Sequence, residues 1–156
     1  IMDNAQKNTI YESVKRDIYA ICEGESDTIA KMATVSCVLK QAFPHFYWCG
    51  FYNVDNLKES ELVVGPYQGT LGCLRIPFGK GVCGTAAQTL QTQIVNDVYA
   101  IANHITCDPK SQSEIVIPVI EDGKLIAVLD IDSDEKASFN EIDKVHLEEV
   151  ISKVFA

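Results

Sequence analysis

The chain has 156 residues, 47 % of them hydrophobic and 22 % charged, with a formal net charge of −9. This length allows one domain with a sizeable core but not two ordinary ones, and the composition excludes an intrinsically disordered chain. The acidic surplus repels phosphate backbones, which argues against nucleic acid as a partner and leaves room for a ligand that carries an ammonium group. No apolar run approaches the roughly 20 residues of a membrane-spanning helix. There is no secretory signal, and Ile1 ahead of Met2 reads as a processing or cloning remnant outside the fold.

In chain order, Thr9-Ile-Tyr-Glu12 reads as a capping box, with Ile10, Val14, Ile18 and Ile21 at helical spacing behind it and Gly24 as the stop. Ser26 or Asp27 caps a second helix through Ile29, Met32, Val35, Leu39 and Phe43, closed by Pro44. HFYWCGFYNV reads as a buried strand, and the turn Asp55-Asn56 leads to a partner strand, ELVVGPY. Residues 68–78, broken by glycine and proline, read as irregular. A short helix over 82–90 and a brief strand QIV follow. The stretch 96–113 lacks periodicity and reads as a long functional loop. EIVIPVI and KLIAVLDID are strands joined by Glu121-Asp122-Gly123, a hairpin signal. Ser138-Phe-Asn-Glu141 opens a last helix through Ile142, Val145, Val150 and Val154. The pattern implies an α+β fold: one antiparallel sheet flanked by helices, with the N- and C-terminal helices on one face.

Within FGKGVCGTAA, Gly79, Gly81 and Gly84 spell G-x-G-x-x-G. A dinucleotide turn needs that motif between a buried parallel strand and a full helix. Here Pro77 weakens the preceding strand, the helix is about two turns long, and the later strands pair as a hairpin. The alternative is a tight turn followed by close helix packing. Cys83 sits near the N-terminus of that helix, where N–H groups and the helix dipole favour a thiolate. The residues alone make it the first candidate nucleophile, or else a small packing residue between helix and sheet.

The six cysteines (Cys22, Cys37, Cys49, Cys73, Cys83, Cys107) are widely spread, with no C-x-x-C pair and no clustered histidines, so their spacing indicates no metal site. A chain with helices and a real core suits a reducing cytoplasmic setting, where most cysteines pack as small hydrophobes and a minority are candidates for catalysis. In LDIDSD, Asp130 and Asp132 alternate on a strand, so both project from the face of Ile126 and Val128. An apolar strand face that turns acidic can floor a pocket, and neighbouring carboxylates in a dry site push a pKa upward. Solvation at the strand's exit is the alternative. Glu114 enters the preceding strand and could neighbour them across the hairpin's mouth. His104 and Cys107 lie in the long loop.

The segments YWCGFY (47–52), LVVGPYQGTLGCLRIPFGKGVCGTA (62–86), HITCDPKSQSEIVIPV (104–119) and LDIDSD (129–134) resemble the free methionine-(R)-sulfoxide reductases, proteins of the GAF fold, across nearly the whole chain. The most specific feature is the trio of cysteines inside these motifs. The resemblance implies one GAF domain over residues 1–156. It implies Cys107 as the attacking residue, Cys73 as its resolving partner and a subsidiary role for Cys83. Glu114, Asp130 and Asp132 would hold and polarise the substrate, and Trp48 would enclose its methyl end. Asn103 stands where the family commonly has glycine, Ile101-Ala102 is atypical, and Gly72 replaces the usual alanine. The implied chemistry is reduction of free methionine sulfoxide through a sulfenic acid and a disulfide. An external dithiol such as thioredoxin would then reduce that disulfide, with no metal or organic cofactor and with a homodimer as the family habit. Two other readings share the fold: a GAF module that senses a cyclic nucleotide or other small molecule, and a redox-responsive dimer without turnover.

Overall fold

The computed structural model describes residues 2–105 and 107–156; Ile1 and Thr106 lie outside the described residues. Four α-helices, α1 (Asn4–Cys22), α2 (Thr28–Ala42), α3 (Gly81–Thr89) and α4 (Glu141–Phe155), surround six strands. The strands are β1 (Trp48–Val54), β2 (Glu61–Gln68), β3 (Arg75–Pro77), β4 (Gln93–Val95), β5 (Ser113–Glu121) and β6 (Lys124–Ser133). They form one sheet in the order β3-β2-β1-β6-β5-β4, every pair antiparallel.

The alternation of side chains along the strands divides the core in two. Cys49, Phe51, Ile115, Ile117, Leu129 and Ile131 face α1, α2 and α4, together with Tyr11, Leu39, Phe43 and Phe155. Trp48, Tyr52, Val116 and Val128 face the other way, against Val82, Cys83 and Ala86 of α3. EIVIPVI is apolar at successive positions because both faces of this antiparallel sheet are covered. The hairpin turn holds Asp122 at φ 52° and Gly123 at φ 76°, the left-handed pair that a two-residue turn requires.

Several boundaries differ from the sequence reading. Asp3, not Thr9, caps α1: its side chain accepts from Gln6 N, and Asp3 N in turn donates to Gln6 Oε1. Thr9 lies inside the helix and donates to Ala5 O. Asn140 caps α4, with Asp143 completing the box. Residues 75–77 form an edge strand within the stretch read as irregular, where Pro77 is tolerated. Ile126 does not share the face of Val128. It is the extra residue of a bulge, since Val119 pairs with Ala127 and Ile120 with Leu125, and it packs with the opposite layer.

The glycine motif serves backbone geometry. Gly79 and Gly81 adopt φ of 82° and 62°, and a Cβ on Gly84 would stand 2.4 Å from Pro77 O. A turn with positive φ and a helix pressed on β3 account for all three glycines, and the antiparallel sheet offers no parallel βαβ unit for a dinucleotide.

The two ends of the chain meet at a buried ion pair. Lys7 Nζ lies 2.5 Å from Asp143 Oδ2, and both side chains are almost fully buried. Asp143 also accepts from Tyr11 Oη at 2.6 Å and from Asn140 N at 2.9 Å, while Lys7 donates to Ser138 O at 3.0 Å. Removing one partner strands the other charge. Lys7→Ala is expected to cost about 3 kcal/mol, the low end for a broken buried pair because Asp143 keeps two donors. Urea denaturation at pH 7 measures this, and a loss below about 1 kcal/mol would mean that the pair behaves as an exposed one.

Candidate active site

The hairpin β5–β6 places its acidic residues side by side. Glu114 on β5 stands opposite Asp132 on β6, and Asp132 stands opposite Trp48 on β1. One step along, Asp130 lies between Val116 and Gly50. All point to the α3 side of the sheet, so the neighbourhood expected for Glu114 is observed. The alternative of solvation at the strand's exit does not hold for Asp130, which is 4 % exposed, while Asp132, nearer the exit, is half-buried.

These carboxyls line a cavity with Trp48, Tyr52, Cys83, His104 and Cys107. Trp48 is held by stacking on Tyr67 and Tyr52, with centroids 4.9 and 5.5 Å apart, and its Nε1 donates to Thr70 O at 2.8 Å. All seven residues singled out from the sequence (Trp48, Cys73, Cys83, Cys107, Glu114, Asp130, Asp132) thus belong to one region, six in the cavity wall and Cys73 bonded to it. Cys73 and Cys107 are joined as a disulfide, with Cα atoms 5.5 Å apart across 34 residues of chain. It ties the segment after β2 to the long loop before β5. Asp108 makes a second tie between the same segments, accepting from Thr70 Oγ1 at 2.6 Å, and it also accepts from Tyr47 Oη, just before β1, at 2.8 Å. Those donors, Thr70 foremost, hold Asp108 below the usual carboxylate range. Neither Asp108 nor Tyr52 stands out in the sequence, because a clasp between loops and the inward side of an aromatic strand leave no local signature.

The expectation that Cys83 is an activated thiolate is not met. It is the third residue of α3, but it is 3 % exposed and lies 3.8 Å from Glu114 Oε2. Burial, reinforced by the negative charge of Asp130 and Glu114, pushes its thiol well above the ordinary range. The dipole of a nine-residue helix is too weak to offset both effects. Cys49 is likewise buried and pushed up, first by burial. The donor atoms of Cys83, Glu114 and Asp130 lie within 4.8 Å of one another. They could close on a cation, although tetrahedral zinc holds its ligand atoms roughly 3.5 Å apart. Cysteine spacing misses such a grouping because the strand ladder assembles it.

Burial raises all three carboxyls, Glu114 and Asp132 most, and the Asp130 charge pushes both further. The row therefore holds its protons more tightly than exposed carboxyls do, which suits it to the part of an acid. Asp130 Oδ1 has no hydrogen-bond partner among the described residues. A carboxyl raised on folding contributes stability that is full below its unfolded pKa, about 4.3 for glutamate, and lost as pH rises through the folded value. Because the amide in Glu114→Gln does not ionise, its Tm is expected to exceed the wild type's at pH 8, with the advantage shrinking by pH 4.5. A Tm difference independent of pH would overturn this account of Glu114.

The comparisons with known proteins agree with this geometry. The GAF domain family model matches residues 36–154. The chain is 44 % identical over 150 residues to GAF domain-containing protein A of Dictyostelium discoideum, covering 96 % of this chain and 93 % of that one. It is 38 % identical over 148 residues to the free methionine-R-sulfoxide reductase of Escherichia coli, covering 95 % and 88 %. The X-ray structure of free methionine-R-sulfoxide reductase from Neisseria meningitidis in complex with its substrate is similar with a TM-score of 0.89 and 42 % identity, over 99 % of this chain and 89 % of that one. With its glycine motif explained by packing and its cysteines and carboxyls gathered in one cavity, the chain belongs to the GAF-domain family of free methionine-R-sulfoxide reductases.

Proposed function

We propose that this protein reduces free L-methionine-(R)-sulfoxide to methionine, with Cys107 as nucleophile and Cys73 as resolving thiol. The observation that carries the reading is the meeting, in one cavity, of Cys107, bonded to Cys73, and a row of carboxyls whose affinity for protons burial raises. In the reduced protein, Cys107 Sγ attacks the sulfoxide sulfur while a carboxyl of the Glu114–Asp132 pair protonates the oxygen. The substrate sulfur gains two electrons and leaves as the thioether of methionine; Sγ loses two and becomes a sulfenic acid. Cys73 displaces water from it to form the disulfide, and an external dithiol of the thioredoxin kind restores both thiols. The chemistry needs no metal or organic cofactor.

The same cavity accounts for selection of a free amino acid. The unpartnered Asp130 Oδ1 suits the substrate ammonium, and the N-terminus of α3, which carries no side-chain cap, offers N–H groups to its carboxylate. The indole of Trp48 closes the apolar end. A peptide-bound methionine sulfoxide brings a neutral amide instead and leaves the acidic group unpaired, at a cost of roughly 1–3 kcal/mol.

Cys107→Ser is expected to abolish turnover, since a hydroxyl is a far weaker nucleophile at neutral pH. Cys73→Ser should release one equivalent of methionine and stall. Single-turnover assays on pre-reduced protein with no reductant in solution check the stall, steady-state assays with dithiothreitol check the loss of turnover, and near-normal cycling of Cys107→Ser would reject the assignment. The kcat/KM for free substrate should exceed that for N-acetylated substrate by about tenfold or more, a gap that narrows in Glu114→Gln. Equal efficiencies in the wild type would remove the carboxyl row from substrate selection.

A further inference from the structure

His104 is a wall residue of the cavity that the chemistry above leaves without a task. Its ring meets Tyr99 edge-on, with centroids 5.5 Å apart. Both ring nitrogens are shut off from solvent, and neither has a hydrogen-bond partner among the described residues. Leaving a buried polar atom unpaired costs roughly 1–3 kcal/mol, and native structures keep few such atoms without a reason.

The backbone around the ring is well anchored. Asn103 Nδ2 donates to Gly79 O at 2.8 Å, and Ile105 packs where a Cβ on Gly81 would stand 3.2 Å from it. The imidazole is thus held in the wall by its neighbours on both sides while its own nitrogens make no bond to the described residues. Asn103, a departure from the family pattern, supplies one of those anchors.

Cys107 needs such a group. An ordinary thiol, with a pKa of about 8.5, is mostly protonated at pH 7. Cys107 sits in an irregular segment with no helix N-terminus behind it, and the adjacent Asp108 is an anion that disfavours a thiolate. The carboxyls of the row, raised by burial, are given the part of acids in the reaction proposed above. Burial keeps the imidazole below its ordinary range, so it is neutral and able to accept a proton at pH 7.

We propose that His104 is the base that takes the thiol proton of Cys107, an assignment that rests on the reductase reading above. The S–H bond breaks, its electron pair stays on Sγ, and the proton passes to a ring nitrogen. Once the carboxyl row has protonated the sulfoxide oxygen, the imidazolium returns a proton to the row. The thiol hydrogen is thereby accounted for as the hydroxyl hydrogen of the sulfenic acid.

The test is the iodoacetamide alkylation rate of Cys107 in the reduced protein at pH 7 without substrate, read on the isolated peptide by mass spectrometry. His104→Gln is expected to slow it about tenfold or more, and to slow single-turnover methionine release about 100-fold with KM little changed. His104→Ala should lose the same activity and regain part of it on addition of imidazole, which a purely structural loss would not do. His104→Asn serves if either variant departs from the native far-UV spectrum. Unchanged alkylation in a folded variant, or a loss that imidazole does not relieve, overturns the proposal. Absence of sulfoxide reduction by the wild type would defeat the reductase reading instead, and the alkylation result would stand apart from it.

Discussion

Three carboxyl groups set against one another on the face of an apolar sheet, Glu114 and Asp130 buried and Asp132 half-buried, are the constraint around which this molecule is arranged. Taken singly, a carboxylate in such a place is costly. Set directly across β5 and β6, Glu114 and Asp132 instead have their affinity for protons raised, first by burial and then by the Asp130 charge. The layer of aromatic and aliphatic side chains on the far side of the sheet, where α1, α2 and α4 pack, supplies the stability that tolerates this. The two faces therefore divide the labour: one holds the fold, and the other holds groups that a fold alone would not choose.

Much of this is legible in the sequence. The helices, the β5–β6 hairpin and the alternation that sets Asp130 and Asp132 on one face follow from short-range periodicity, which is a local property. What failed was also local, but ambiguous. Thr9-x-x-Glu12 satisfies the capping pattern as well as Asp3-x-x-Gln6 does, and only the packing of Tyr11 and Lys7 against α4 shows that the helix has already begun. The bulge at Ile126 turns one side chain over with no residue to announce it.

The site was legible in a different way. Its acidic floor came from strand spacing, whereas the choice among cysteines came from motif resemblance. Elementary reasoning favoured Cys83 because a helix N-terminus is visible in sequence, and the burial and like charge that cancel it are not. Orphan nitrogens on His104 and the contacts of Asp108 arise between segments far apart in the chain, so no local pattern carries them.

The Asp108 clasp has a bearing on how the sulfurs behave once reduced. Its bond to Thr70 does not pass through the disulfide, so it can hold the two segments together when the sulfurs part, and its bond to Tyr47 fixes the loop to the start of β1 as well. Cys73 then remains tethered beside Cys107 at a high effective molarity, as in intramolecular reactions whose partners are prepositioned. In the reaction proposed above, a sulfenic acid on Cys107 would meet that thiol in a first-order step that soluble oxidants, at their far lower concentrations, must outrun. The clasp is in this sense a guard against irreversible over-oxidation to the sulfinic acid.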